Sequence, residues 1–146
     1  MTRIVLDTNL VVSAILSPEG KPARILKMAL EGKLDLVVSP AILKEIIHVL
    51  NYQKVRKLLP KRAISLEVTK DALQKIAKTA FMTPGALDVH GVDRDASDNI
   101  VLSCAAEGRA DYIVSGDHHL TDLASFEGIS IVNPGTFLKL IERSAE

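Results

Sequence analysis

The sequence predicts an α/β fold, a three-layer sandwich with a central parallel β-sheet flanked by helices. Two observations carry that expectation. Four short apolar runs, Arg3–Asp7, Leu34–Ser39, Asp111–Ser115 and Ile129–Val132, have the length and branched side chains of buried strands. Helical patterns lie between them, and strands alternating with helices over short connections form a parallel sheet covered on both faces.

Each helix carries its own signals. Residues 22–31 have Pro22 early and Gly32 just past the end, the residue types that start and stop helices. Residues 40–52 follow Ser39–Pro40, a cap and a first helical position, and bring Ile42, Leu43, Ile46, Ile47 and Leu50 to one face. Residues 61–79 read as one helix and 98–107 as another stopped by Gly108, and a last helix follows residues 133–137. Residues 83–97 form the one long irregular stretch, and such a loop in a compact domain is more often functional than not. With 146 residues and neither repeat nor linker, the chain reads as one domain over 1–146.

Composition narrows the function classes. Hydrophobic residues make up 47% and charged residues 25%, the balance of a soluble globular protein. Three Phe, two Tyr and no Trp weaken any reading built on base-stacking platforms. Cys104 is alone, which excludes an internal disulfide and fits a reducing compartment; in its apolar setting it reads as a small buried residue. No apolar run approaches the ~20 residues of a membrane helix, and Asp7 interrupts the place of a signal-peptide core, so a cytoplasmic protein is expected. The net charge is zero, but residues 46–66 hold Lys54, Arg56, Lys57, Lys61 and Arg62 with no acid, while residues 85–127 hold nine acids against Arg94 and Arg109.

The acids carry the chemistry. Asp7 ends the first strand, at the edge where α/β sheets place their functional crevice. Asp117 lies just beyond the strand 111–115 at the same edge, and Asp98 sits in the first turn of a helix that must start there. Glu45 lies one turn into the helix after the strand 34–39 and flanks its apolar face. Gathered carboxylates repel, by several kcal/mol for a pair about 4 Å apart at an effective dielectric near 20. A hard dication with oxygen ligands, Mg²⁺ or Mn²⁺, is the natural counter-charge, and it suits metal-assisted hydrolysis of a phosphodiester. Each acid also has a plain structural role open to it: Asp7 and Asp98 as helix-start residues, Glu45 as a solvated helix residue, Asp117 as a turn former.

In these residues the chain resembles the PIN-domain nucleases, particularly the bacterial and archaeal VapC-type branch that forms the toxins of toxin–antitoxin pairs. "IVLDTNLVVSAIL" is similar to the family's opening strand and motif, and "SPAILKEIIHVL" to its second motif with the Glu. "DRDASDNIVLSCAAEGRADYIVSGDHHL" is similar to the third and fourth together, and "GISIVNPGTFLKLI" to the closing strand and helix. A lone "DTN" is weak evidence, but the ordered set at these spacings is strong. The resemblance implies a metal site at Asp7, Glu45, Asp98 and Asp117, with Asp95 as second choice for the third ligand, and Asn9 and Ser115 as supporting polar residues. It implies Mg²⁺- or Mn²⁺-dependent endoribonuclease activity on RNA, an antitoxin partner and a homodimer. One departure stands out: where relatives offer another Asp two residues after the "GD" pair, this chain has His119, which bears on a second metal site and on tolerance of Mn²⁺.

The basic segment suggests phosphate contacts from Lys54, Arg56, Lys57, Lys61 and Arg62, against the plainer reading of a solvated helix face. Other functions remain open at this level. A haloacid-dehalogenase-like phosphatase shares the Asp at a strand end, but its general acid would fall at Asn9, which cannot take that role. A non-cleaving RNA- or protein-binding domain of the same fold is a third reading. A nucleotide-binding doubly wound domain lacks its Gly-rich loop after the first strand.

Overall fold

The computed structural model describes residues 1–87 and 96–144. The chain runs β1 (Arg3–Leu6), α1 (Thr8–Leu16), α2 (Lys21–Leu30), β2 (Asp35–Val38), α3 (Pro40–Leu50), α4 (Gln53–Lys61) and α5 (Leu66–Thr79). It continues through β3 (Phe81–Met82), α6 (Ala96–Glu107), β4 (Tyr112–Val114), α7 (His118–Thr121), β5 (Ser125–Phe126), β6 (Ile129–Val132) and α8 (Pro134–Ser144). The six-stranded sheet has the order β3-β2-β1-β4-β6-β5 and is parallel except for β5, which pairs antiparallel with β6 at the edge. The expected mostly parallel sheet flanked by helices is therefore observed.

The four expected strands are present, each trimmed by at most a residue or two at its ends. Their apolar side chains form the core: Ile4, Val5, Ile113 and Val114 are completely buried, and Leu36, Val37, Val38 and Ile131 nearly so. Such continuous apolar runs mark strands covered on both faces. α6 packs on β1, β2 and β4 and against α3, whereas α1 packs on α2 and α3, and α2 on α5 and α8. α2 ends as expected at Gly32, whose left-handed backbone (φ 81°) lets the Lys33 amide reach back to the Met28 carbonyl at 2.9 Å. Ser39 caps α3 by accepting from the Ile42 amide at 3.1 Å.

Three features correct the sequence reading. Residues 61–79 are not one helix. α4 closes in a Schellman turn, with Ala63 left-handed at φ 57° and the Ile64 amide bonded to the Leu59 carbonyl, and α5 starts afresh at its own cap, Ser65. Ala at the left-handed position hides that break from a reading that looks for Gly. The residues after Asp7 form α1, whose nearly all-round burial leaves no amphipathic stripe to read. β3, β5 and α7 are too short for periodicity to show. Among the described residues no helix is long and apolar enough to cross a membrane.

Gly108, directly after α6, leaves no room for a side chain: a Cβ there would overlap the Val37 Cγ1 on β2 and lie 3.1 Å from the Cys104 carbonyl oxygen. Gly108→Ala should therefore lower stability by about 1–3 kcal/mol, read as a lower urea midpoint with an unchanged slope. An unchanged midpoint would mean that α6 and β2 separate there without cost.

Candidate active site

The winding of the sheet reverses beside β1. From β1 the chain moves outward through β2 to β3, and α6 then carries it back across the sheet to β4, on the other side of β1. A crevice opens at the carboxyl ends of the two strands that flank such a switch. Leu6 pairs with Val114, so the next residue on each strand, Asp7 and Ser115, stand level and on the same face. The backbone carries the alignment one step further: the Asp7 amide donates to the Val114 carbonyl at 3.0 Å, and the Ser115 amide to the Val132 carbonyl at 3.0 Å.

Side chains then connect the two strand ends. Ser115 is fully buried and its Oγ donates to Asp7 Oδ2 at 2.7 Å. The same Oγ accepts from the Asp117 amide at 3.0 Å, which ties the loop after β4 to the end of β1. The Asp117 carboxylate accepts from the His119 amide at 2.9 Å and so caps α7. Asp7 is only 8% exposed. Its carbonyl accepts the Leu10 and Val11 amides that begin α1, but its carboxylate makes no capping bond.

Asp7 is electrostatically uncomfortable. Burial is the main cause that raises its pKa above the ordinary carboxylate value, and the nearby Asp117 charge adds to it. The Ser115 hydroxyl and the Asn9 and Thr8 amides pull the other way without cancelling the rise. Among the described residues no Lys or Arg forms an ion pair with Asp7, Glu45 or Asp117.

The remaining expected residues fall around this pair. Asp98, 7% exposed, sits in the first turn of α6, the helix that lies on β1 and β4. Glu45 is half-buried in the middle of α3, which touches α6, and it lines a cleft with Ile100 of α6. Among the described residues no three His, Cys, Asp or Glu side chains stand close enough together to cage an ion as placed. What the contacts bring together is Asp7, Ser115 and Asp117. The side chains of Asn9 and His119 are exposed, and these residues meet the site through their backbone amides. Asp95 lies outside the described residues. Lys54, Arg56, Lys57, Lys61 and Arg62 are all exposed, on α4 and its C-terminal end.

One residue escaped the sequence reading. Glu107, at the end of α6, accepts the amides of Gly85, Ala86 and Leu87 at 2.8, 2.8 and 2.9 Å and fixes the start of the long loop. Desolvation raises its pKa, but these amides outweigh that and hold it below the usual carboxylate range. Nothing in the sequence marks a Glu at a helix end as an acceptor for amides some twenty residues earlier. Beside it, Cys104 is buried, and burial foremost pushes its thiol up to about 12, so it is no nucleophile at neutral pH.

Comparison with known proteins decides the family. The family model for the PIN domain matches residues 3–119. The chain belongs to the PIN-domain family. The match spans Asp7, Glu45, Asp98 and Asp117. A relative from Methanocaldococcus jannaschii, the uncharacterized protein MJ1680, is 33% identical over 125 residues, which cover 83% of this chain and 74% of the relative. The crystal structure of VapBC2 from Rickettsia felis, bound to a DNA fragment from their promoter, shares the fold. It aligns with a TM-score of 0.54 and 15% identity, over 90% of this chain and 98% of that one. The match thus takes in the strand ends at which Ser115 ties Asp7 to the backbone of Asp117.

The raised pKa of Asp7 has a sign that can be worked through. A carboxyl whose folded pKa exceeds its unfolded one stabilises the fold below the unfolded value and loses that contribution as pH rises through the folded value. With chelator present at neutral pH, ionised Asp7 is therefore a net burden on the fold. Asp7→Asn should raise Tm there, by about 2–4 °C for each kcal/mol regained in a chain of this size. The difference from wild type should shrink as the buffer is acidified into the carboxylate range. A lower Tm for the variant at neutral pH would show that the Asp7 anion is better satisfied than its surroundings indicate.

Proposed function

We propose that this PIN domain is a metal-dependent endoribonuclease that hydrolyses RNA phosphodiester bonds. The observation that carries the reading is the uncompensated Asp7–Asp117 pair, tied through Ser115 at the sheet's switch point. The donor set fits a hard cation: it is all oxygen, one member is buried with a raised pKa, and no cationic side chain among the described residues answers Asp7, Glu45 or Asp117. Asp7, Glu45, Asp98 and Asp117 would hold Mg²⁺ or Mn²⁺. When bound, the cation supplies Lewis-acid activation of water and neutralises charge developing on the phosphate.

The chain's own groups do the positioning. Ser115 fixes one oxygen of Asp7 by donating to it, and its second bond sets the backbone on which Asp117 stands. α6 delivers Asp98 to the same edge from the opposite direction, with the positive end of the helix towards it. Glu45 stands at the wall of an open cleft, where a substrate strand would arrive. A phosphomonoesterase reading fares worse, because the residue two after Asp7 is Asn9, which neither donates nor accepts the required proton.

The fold shared with VapBC2 supports a role as the toxin of a toxin–antitoxin pair with a small antitoxin protein as partner; a homodimer as the working unit is part of the proposal.

The decisive experiment incubates purified protein with end-labelled RNA and Mg²⁺ or Mn²⁺, with and without chelator. Cleavage should require the metal and fall by more than about a hundredfold in Asp7→Asn and Asp98→Asn. Ser115→Ala, which removes an orienting group and not a ligand, should cost about 10–100-fold in metal affinity. Metal-independent cleavage, or full turnover in Asp7→Asn, would refute the reading. Growth arrest on expression, relieved by a co-encoded small protein, tests the toxin role.

A further inference from the structure

Five of the chain's exposed cations fall within nine residues, on the elbow formed by α4. Lys54, Arg56, Lys57, Lys61 and Arg62 stand in a segment without acids, and among the described residues none of them forms an ion pair. Two of the five serve the fold. Arg56 donates to Asn51 Oδ1 at 2.6 Å and pins the turn between α3 and α4. Arg62 donates to the Leu16 carbonyl at 3.1 Å and to Ser17 Oγ at 2.7 Å, closing the end of α1.

Lys54, Lys57 and Lys61 have no such work. Their spacing of three and four makes one stripe on α4, turned away from Val55 and Leu59, which face the protein. Like charges at that spacing weaken their own helix by a few tenths of a kcal/mol each. No acid on α4 offsets them.

A cleft of about 620 Å³ runs along α3 from this elbow to Glu45. Glu45 and Lys44 stand along its wall, with Ile47, His48 and Asn51 further along α3 and Ile100 on the α6 side. Asn51 is about 9 Å beyond Glu45 at the rise of a helix. Ile47 is 49% exposed there, an apolar surface that a phosphate backbone alone would not seek. A duplex keeps its bases stacked inside, whereas a single strand brings unstacked bases to an apolar wall.

We infer that single-stranded RNA reaches the acids along this elbow, its phosphates on Lys54, Lys57 and Lys61 and its bases in the cleft beside Glu45. The inference rests on the nuclease reading for its direction, but its test reads binding and not cleavage. Fluorescence anisotropy of a labelled single-stranded RNA, in chelator, is followed across a salt series for three proteins. These are the wild type, the triple variant Lys54→Ala, Lys57→Ala, Lys61→Ala, and a control that removes equal charge from α5 (Lys70→Ala, Lys75→Ala, Lys78→Ala).

The α4 variant should bind at least about tenfold more weakly at low salt, and its log–log salt slope should be shallower by about 2, at roughly 0.7 per lost phosphate contact. The α5 control should stay within about twofold of wild type. Equal losses in both variants, an unchanged slope in the α4 variant, or tighter binding of duplex DNA than of the single strand would each overturn the inference. Cleavage lost in Asp7→Asn with this binding intact would separate the track from the chemistry.

Discussion

The structure turns on a single carboxylate held where it is poorly satisfied. Asp7 stands at the end of the central strand, buried, with another acid nearby and with donors in the Ser115 hydroxyl and the Asn9 and Thr8 amides that do not offset its burial. A charge in that position is costly unless paired, and among the described residues no cationic side chain pairs with it. Everything near it serves to fix its place. The register of β1 and β4 sets it level with Ser115, Ser115 bonds it to the loop after β4, and α1 begins on its carbonyl. The architecture thus maintains an unbalanced negative charge with a rigid frame, which is the condition for tight and oriented binding of a cation.

The topology explains why such a frame is available here. A parallel sheet points all its strand ends one way, and the reversal of winding beside β1 keeps a helix from closing over the ends of β1 and β4. The crossing made by α6 then starts a helix at that same edge and brings Asp98 to it. The close approach of α6 to the sheet rests on Gly108, where the chain leaves the helix against Val37. Core packing and site geometry are one constraint seen from two sides, because the helix that fills the face of the sheet also delivers an acid to its rim.

Much of this was legible in the sequence, for a physical reason. Buried parallel strands need unbroken apolar runs, and helix ends need particular residues, so Ile4–Leu6, Ser39–Pro40 and Gly32 could be read directly. Asp7 stood out because a charge abutting a buried strand violates the pattern around it. The break between α4 and α5 was not legible, since Ala63 occupies a left-handed position that usually advertises itself with Gly. The bond from Ser115 to Asp7 joins residues 108 apart, and the clamp formed by Glu107 joins residues more than twenty apart. Spacing along the chain carries no signal for contacts of that kind. The same holds for the division of labour on α4, where Arg56 and Arg62 are committed to the fold and the three lysines are not.

The two carboxylates that the fold handles most differently show that the state of Asp7 is a matter of position and not of a fold short of donors. Glu107 receives three backbone amides, enough to overcome its desolvation and hold its pKa low. Asp7 has the Ser115 hydroxyl and the Asn9 and Thr8 amides close enough to lower its pKa, and together they do not cancel the cost of its burial. A helix start ordinarily supplies amides to an acid standing before it, and at the start of α1 the Asn9 and Thr8 amides do oppose the rise in the Asp7 pKa. Its raised pKa reflects burial first, and the neighbouring Asp117 charge adds to it. Burial beside a second acid, and not a shortage of donors, separates Asp7 from Glu107 in this fold.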